Sequence, residues 1–133
     1  MEKGCLTDAS RILTTDQKSQ LRIYRGPLWD LETIIHHPHR QFQHLTPIKA
    51  TWHPLEDVVV VGRYPDKKFP GYTSGELRTI DFFDADTGKH QYGLFSSDLN
   101  GICSLNRFNV LGDILATGMG MLPLQFSLCK MRM

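Results

Sequence analysis

The 133 residues are enough for one domain, and 41% hydrophobic and 22% charged residues are typical of a globular protein. A formal net charge of +1 gives no argument for a general polyelectrolyte attraction to nucleic acid, so any such binding must come from a local basic patch. Charges interrupt the N-terminal residues and no run of about 18 apolar residues occurs, so we expect neither a signal peptide nor a membrane span. Three distant cysteines without metal-ligand spacing predict reduced thiols in a soluble nuclear or cytoplasmic protein: Cys5, Cys103 and Cys129.

Short runs rich in β-branched and aromatic residues follow one another along the chain, and no helical period competes with them. Turn residues, such as those of the stretch 84–89, separate these runs. The sequence therefore predicts an all-β chain with antiparallel connections. Its predicted strands cover residues 11–15, 21–24, 33–35, 48–52, 58–61, 79–83, 91–95, 102–105 and 114–117.

One segment of the chain is repeated. Residues 52–62 align without gaps on residues 108–118, and each copy has an aromatic residue, a turn, an aspartate, four small or apolar residues and a glycine. Residues 8–16 form an earlier copy. Corners of this kind, between the innermost and second strands of a blade, recur about every 40 to 45 residues in WD-repeat propellers. The repeat predicts a partial WD-repeat β-propeller with loop insertions between its corners.

The strand order of a blade predicts which loops lie together. Antiparallel strands alternate in direction, so the loop to the next blade and the loop between the second and third strands lie on one face. Residues 40–47 belong to the first kind of loop, and residues 17–18 and 63–78 to the second. We expect this face to carry Tyr64 and a set of basic residues that includes solvated loop charges: Lys18, Arg40, Arg63, Lys67, Lys68 and Arg78, diluted by Asp16, Asp66 and Glu76.

The loop 40–47 sets one aromatic residue among polar side chains. An exposed Phe42 costs free energy in water, so it either packs into a core or is offered to a partner. Gln43 and His44 can donate and accept hydrogen bonds, and Arg40 supplies a fixed charge for phosphate. This pattern favours a wedge that enters a stack of bases.

Three stretches are similar to those of one known family. They are residues 42–54, which begin with Phe42-Gln43-His44, residues 61–66 and residues 76–81. Over about residues 7–120 the chain resembles the C-terminal part of the small WD-repeat subunits of the UV-damaged-DNA-binding complex, the xeroderma pigmentosum group E family. The resemblance implies a seven-bladed nuclear propeller that finds UV photolesions in chromatin for nucleotide excision repair. It also implies a substrate receptor of a cullin-RING ubiquitin ligase, which docks on a large adaptor subunit.

The resemblance implies roles for individual residues. The family's wedge, which displaces two lesion bases, matches Phe42, Gln43 and His44. Its contacts to the DNA backbone and strands match Gln17, Lys18, Arg40, Tyr64 and Arg78. Damaged steps are already poorly stacked, so extruding their bases costs less than extruding those of an intact step. We therefore expect the protein to recognise how easily the DNA is deformed rather than its base sequence. We expect no cofactor.

The chain departs from the family's pattern at both ends. We expect the early blades and the N-terminal segment that docks on the adaptor to be absent, because the sequence pattern predicts a start near the second strand of a late blade. After Gly120 the family continues with an apolar strand, whereas Pro123 interrupts the pattern here. We therefore predict about two and a half late blades in residues 1–120 and a divergent tail, lacking that strand, in residues 121–133.

Other interpretations compete with DNA binding. Phe42 as a plain core residue is one of them. Clustered histidines suggest zinc, but the loop has no paired cysteine or carboxylate, so we expect no metal site at His36, His37, His39, His44 and His53. No nucleophile, base and orienting acid occur together and no glycine-rich phosphate loop is present, so we expect no enzyme. The main alternative function is a truncated WD-repeat interaction fragment without competent DNA binding.

Overall fold

The computed structural model describes residues 2–3, 10–16, 18–39, 47–97, 101–119 and 125–130. Their strands form three antiparallel sheets, two of four strands and one of three. The sheets follow one another along the chain, as the blades of a propeller do. The prediction of an all-β, partial WD-repeat propeller is confirmed.

The first sheet presents an apolar face to the second. Leu13, Leu21, Ile23 and Ile35 are buried in a common core, because alternate residues of a strand point to the same face. The sheet is built from four strands in chain order: β1 (Glu2–Lys3), β2 (Arg11–Thr15), β3 (Gln20–Arg25) and β4 (Asp30–His36).

The second sheet lies between the other two and is also built in chain order, from β5 (Thr51–Trp52), β6 (Val58–Gly62), β7 (Ile80–Asp84) and β8 (His90–Leu94). Every residue of β6 is buried, because both faces of this strand are covered. Val59 and Val61 pack into the core shared with the first sheet. Val58 and Val60 pack on the other face, in the core shared with the third sheet. A strand covered on both sides reads as a continuous apolar run, as this one does.

The third sheet has the order β11, β10, β9 and is built from β9 (Cys103–Phe108), β10 (Ile114–Met119) and β11 (Gln125–Lys130). Cys103 and Leu115 are its buried contacts with the second sheet. Burial raises the pKa of the Cys103 thiol, and the thiol is not part of a disulfide.

Similar corners join β5 to β6 and β9 to β10. In the corner between β5 and β6, Nδ1 of His53 accepts hydrogen bonds from the backbone N–H groups of Leu55 and Glu56, at 3.1 and 3.0 Å. Its Nε2–H donates to the carbonyl of Gly112, at 2.9 Å, in the corner between β9 and β10. Gly112 has a φ of 73°, and a Cβ there would overlap the imidazole. His53 is thus a corner residue within the repeated segment 52–62.

An ion pair joins the first two sheets at the end of the sheets that carries these corners. The buried Arg11 of β2 pairs with Asp57, in the corner between β5 and β6, and with Asp86, in the turn between β7 and β8, the latter at 3.2 Å. Its guanidinium carbon lies 4.8 Å from the centre of the Trp52 ring.

The structure corrects three expectations about strands. Glu2–Lys3 pairs with β2, so the chain begins at a first strand and not near a second one; a two-residue strand is too short to show alternation. Only Thr51–Trp52 of the predicted strand 48–52 pairs within its own sheet. The tail was expected to lack a strand, but Gln125–Lys130 pairs with β10 along its whole length. Pro123 precedes this strand and therefore does not interrupt its ladder.

Most predicted strands shift by one or two residues at their ends, and 11–15 matches β2. The division of the chain at residue 120 stays a prediction. Among the described residues, no helix has the length and apolar character needed to cross a membrane.

Candidate nucleic-acid interface

Three loops meet at the end of the sheets opposite the corners. They connect β2 to β3, β4 to β5 and β6 to β7. The N–H of His37 donates to the carbonyl of Ser19 at 3.1 Å, and the N–H of Tyr64 donates to the carbonyl of Pro38 at 2.8 Å. The described parts of these loops therefore lie on one face, whereas the predicted positions of residues 17 and 40–46 lie outside the described residues.

The predicted DNA-binding residues divide into two groups. The first group lies outside the described residues: Gln17, Arg40, Phe42, Gln43 and His44. Of the second group, Lys18 and Arg78 are exposed on the shared face, whereas Tyr64 is half-buried and packs against the core between the first two sheets. The roles of both groups stay predictions.

The segment that leads into residues 40–46 is buried. His37, Pro38 and His39 follow the exposed His36 at the end of β4, and all three are inaccessible to solvent or nearly so. The imidazole rings of His37 and His39 stack with their centres 5.6 Å apart. The ring of Phe83 contacts that of His37 edge-on, at 5.5 Å between centres. Nε2–H of His39 donates to the carbonyl of Asp16 at 2.7 Å. This incoming segment, residues 37–39, is therefore bound to two neighbouring elements.

The segment that leaves residues 40–46 is also held. In this outgoing segment, residues 47–50, Ile48 and Ala50 are buried, whereas Pro47 and Lys49 are exposed. The N–H of Lys49 donates to the carbonyl of Ser104 at 3.1 Å, and the N–H of Ala50 donates to Oγ1 of Thr15 at 2.9 Å. The segments on both sides of residues 40–46 are thus attached to the body of the protein, and both contact the end of β2.

A buried carboxylate organises the incoming segment. Asp81, in β7, is 2% exposed. Its Oδ2 accepts hydrogen bonds from Nε2–H of His37 at 2.8 Å and from Nη1 of Arg63 at 3.1 Å. Its Oδ1 accepts one from Oγ1–H of Thr79 at 2.7 Å and lies 3.4 Å from Nε2 of His90. We call Asp81, His37 and Arg63 the Asp81 cluster.

The pKa values of the cluster follow from burial and hydrogen bonding. Burial alone would raise the pKa of Asp81, but the hydrogen bonds donated by His37, Thr79 and Arg63 hold it well below its usual range. Burial lowers the pKa of His37, although Asp81 acts in the opposite direction. Burial, with the neighbouring His37, lowers the pKa of His39 to about 4. At neutral pH the carboxylate is therefore charged and both imidazoles are neutral.

Arg63 differs from the exposed lysines of the face. Its guanidinium binds Asp81 and, through Nη2, the carboxylate of Glu76 at 2.6 Å. It is therefore part of an internal ion-pair network and not an offered cation, and Glu76 is neutralised as well. Lys67 and Lys68 are exposed, like Lys18 and Arg78.

The role of Asp81 was missed in the sequence. The signal was present, because an aspartate inside the apolar run Ile80-Asp81-Phe82-Phe83 must find partners once it is buried. What the run does not reveal is that the partners come from loops 44 and 18 residues earlier in the chain.

Within the described ranges, no three His, Cys, Asp or Glu side chains are grouped as metal ligands. The buried histidines 37, 39 and 53 instead direct their Nε2–H groups to a carboxylate or to backbone carbonyls.

Comparisons with known proteins agree with these features. No family model matches the chain. A Gallus gallus protein, DNA damage-binding protein 2, is 57% identical over 115 residues, which are 86% of this chain and 23% of that protein. The Bos taurus protein of the same name is 54% identical over 114 residues, 85% of this chain and 27% of the relative. Protein DAMAGED DNA-BINDING 2 of Arabidopsis thaliana is 31% identical over 118 residues, 84% of this chain and 21% of the relative.

This chain is a relative of DNA damage-binding protein 2. The resemblance noted in the sequence is therefore confirmed. The names of these relatives describe binding and not catalysis. The chain spans about a quarter of the length of the curated relatives it matches.

Proposed function

We propose that this protein contributes to the binding of damaged DNA in repair, with UV photolesions as the targets. The observation that carries the proposal is an identity of 50% to 57% with proteins named DNA damage-binding protein 2, over most of this chain. The convergence of the three loops on one face supports it, since that face carries exposed lysine and arginine side chains.

In the proposed mechanism, the wedge residues and the residues that contact the DNA backbone have separate roles. Phe42, Gln43 and His44 enter the base stack and fill the space of two displaced bases, which costs least where stacking is already weak. Arg40, Gln17, Lys18, Tyr64 and Arg78 contact phosphates and sugars and hold the protein in register without reading sequence.

The same resemblance supports a proposal about partners and location. The protein acts on chromatin in the nucleus, as the substrate receptor of a cullin-RING ubiquitin ligase with a large adaptor subunit. The adaptor test is a co-purification of the tagged chain with the adaptor. Failure to co-purify when the full-length Gallus gallus relative does so would remove the adaptor from the partners of this chain.

The wedge is tested by replacing Phe42, Gln43 and His44 together by alanine. The protein for this test is the chain itself and a chimera in which the chain replaces the matching 115 residues of the Gallus gallus relative. We expect the preference for UV-damaged over intact duplex to be lost in competition binding, while weak non-specific binding remains, because other groups hold the phosphates.

A matched control replaces the same number of side chains at the end of the sheets that carries the corners. Leu55, Val110 and Leu111 are exposed at the corners, and their replacement by alanine should leave the preference unchanged. A wedge variant that keeps the ratio of the two affinities would contradict the assignment of the wedge.

A second candidate function is that of an interaction fragment without competent DNA binding. The observation that favours it is an apolar face left open on each outer sheet. Leu31 and Ile34 of β4 are 45% and 41% exposed, and Leu105 and Ile114 of the third sheet are exposed as well. In a closed ring, neighbouring blades cover such faces. Selective lesion binding by the chimera, but not by the isolated chain, would support this second function for the chain alone.

A further inference from the structure

The predicted wedge loop is attached to the protein in an unequal way. Its outgoing segment is held by backbone hydrogen bonds of Lys49 and Ala50, which do not depend on the identity of their own side chains. Its incoming segment also has backbone hydrogen bonds, at His37 and Pro38, but in addition the buried side chains of His37 and His39 hold it. Side-chain chemistry, and chiefly the Asp81 cluster, therefore contributes to the direction in which the chain enters residues 40–46.

Asp81 is suited to this task because it cannot change partners easily. A carboxylate that is 2% exposed has no water to replace a lost hydrogen-bond donor. The loss of any donor therefore leaves a buried acceptor unsatisfied. Arg63 holds the same oxygen that accepts the His37 hydrogen bond, and Glu76 holds the other end of Arg63. The loops between β4 and β5 and between β6 and β7 are therefore locked to one strand, β7.

We propose that the Asp81 cluster positions the wedge loop and thereby determines the preference for damaged over intact DNA. The inference rests on the proposed function and adds residues that do not touch DNA themselves. A wedge gains binding free energy only when it enters the stack, and a loop fixed in its entering direction loses less conformational entropy on insertion. Phosphate contacts elsewhere on the face are independent of that direction. Loosening the cluster should therefore weaken lesion binding and spare non-specific binding.

The main variant is His37→Phe. It keeps an aromatic ring for the edge-on contact with Phe83 but removes the N–H donor to Asp81. His37→Gln is the conservative variant, because its amide restores a donor. Thr79→Val is a milder second variant, which removes one hydrogen bond to Asp81 from a half-buried position and should fold even if the main variant does not.

The matched control is Arg11→Met. Arg11 is also buried and also joins the first two sheets through carboxylates, but it does so at the end opposite the three loops. It therefore reports what a comparable loss of stability does to binding when the wedge loop keeps its attachment.

The experiment measures three quantities for each variant, in the full chain and in the chimera with the Gallus gallus relative: thermal stability, competition binding with a UV-photolesion duplex and its intact counterpart, and hydrogen exchange of the amides of residues 40–46. We expect His37→Phe to lower the affinity ratio at least tenfold and to speed the exchange at least tenfold. Thr79→Val should do so by a smaller factor, His37→Gln should recover most of the ratio, and Arg11→Met should change neither quantity.

Two results would overturn the inference. One is an affinity ratio that falls with thermal stability alone, so that Arg11→Met and His37→Phe lie on one line. The other is unchanged exchange of residues 40–46 in folded His37→Phe or Thr79→Val. If the unsubstituted protein shows no preference for the lesion, the proposed function fails, whereas the exchange measurement still decides whether the cluster positions the loop.

Discussion

Lowering the pH should destabilise this protein in a window set by its buried histidines. The pKa of His39 is lowered from 6.5 to about 4 by burial, with the nearby His37 acting in the same direction. An unfolded chain therefore binds a proton between these two values while the folded chain does not, so stability falls as the pH falls through this window. The carboxylate of Asp81 is not involved there, since its pKa is held below the window.

The magnitude follows from the two pKa values of His39. Linkage between protonation and folding predicts a loss of about 2 kcal/mol between pH 7.5 and pH 5, and roughly 3 kcal/mol when the pH reaches 4. The His39 side chain is nearly inaccessible, so solvent screening does not reduce this figure much. The pKa of His37 is also lowered, which adds to the loss. Since domains are stable by only about 5 to 15 kcal/mol, the effect is large enough to measure.

Urea unfolding of the full chain at pH 7.5, 6 and 5 checks this prediction. The control is His39→Gln, which keeps a hydrogen-bond donor for the Asp16 carbonyl but cannot be protonated. Its stability at pH 7.5 should change little in comparison, and its pH dependence should be shallower by about 2 kcal/mol over this range. Identical pH profiles for the two proteins would refute the reasoning, because His39 would then titrate alike in the folded and unfolded chains.

Three further predictions concern the face, a corner and the sheet edges. Replacing Arg40 or Arg78 by alanine should weaken binding to damaged and intact DNA alike. It should also lower the slope of log affinity against log salt by roughly one for each phosphate that is no longer bound. An unchanged salt slope would show that the arginine does not bind a phosphate. Gly112→Ala should destabilise the fold by at least about 1 to 2 kcal/mol in thermal or urea unfolding, because the residue has a left-handed φ and its Cβ would overlap the His53 ring. A variant as stable as the unsubstituted protein would show that the corner can shift. The isolated chain should associate or unfold readily in sedimentation and thermal melts, because its two outer faces expose Leu31, Ile34, Leu105 and Ile114; a cooperative monomer that binds a photolesion duplex tightly would contradict this.

The strands and the corners could be predicted from the sequence because their signals are local. Strands β2 and β3 show alternation of inward and outward residues, and the aromatic-turn-aspartate-apolar pattern at 52–62 and 108–118 marks two equivalent corners. Antiparallel alternation of strand direction then places three loops on one face without any knowledge of packing. The strands that the sequence did not reveal lacked such signals: β1 has two residues, and β11 follows a proline that suggested an interruption.

The attachment of the candidate wedge loop was decided only by the tertiary structure. Lys18 and Arg63 are both basic loop residues in the sequence, yet Lys18 is exposed whereas Arg63 is joined to Asp81 and Glu76 in an internal network. His37 and His36 are adjacent and chemically alike, but one is buried against Asp81 and the other is exposed. The physical reason is that the partner of a charge is chosen by burial and distance in space. Strand alternation and turn residues can be recognised from residues that are adjacent in the sequence. The contacts among His37, Arg63 and Asp81 form only when the first two sheets pack together.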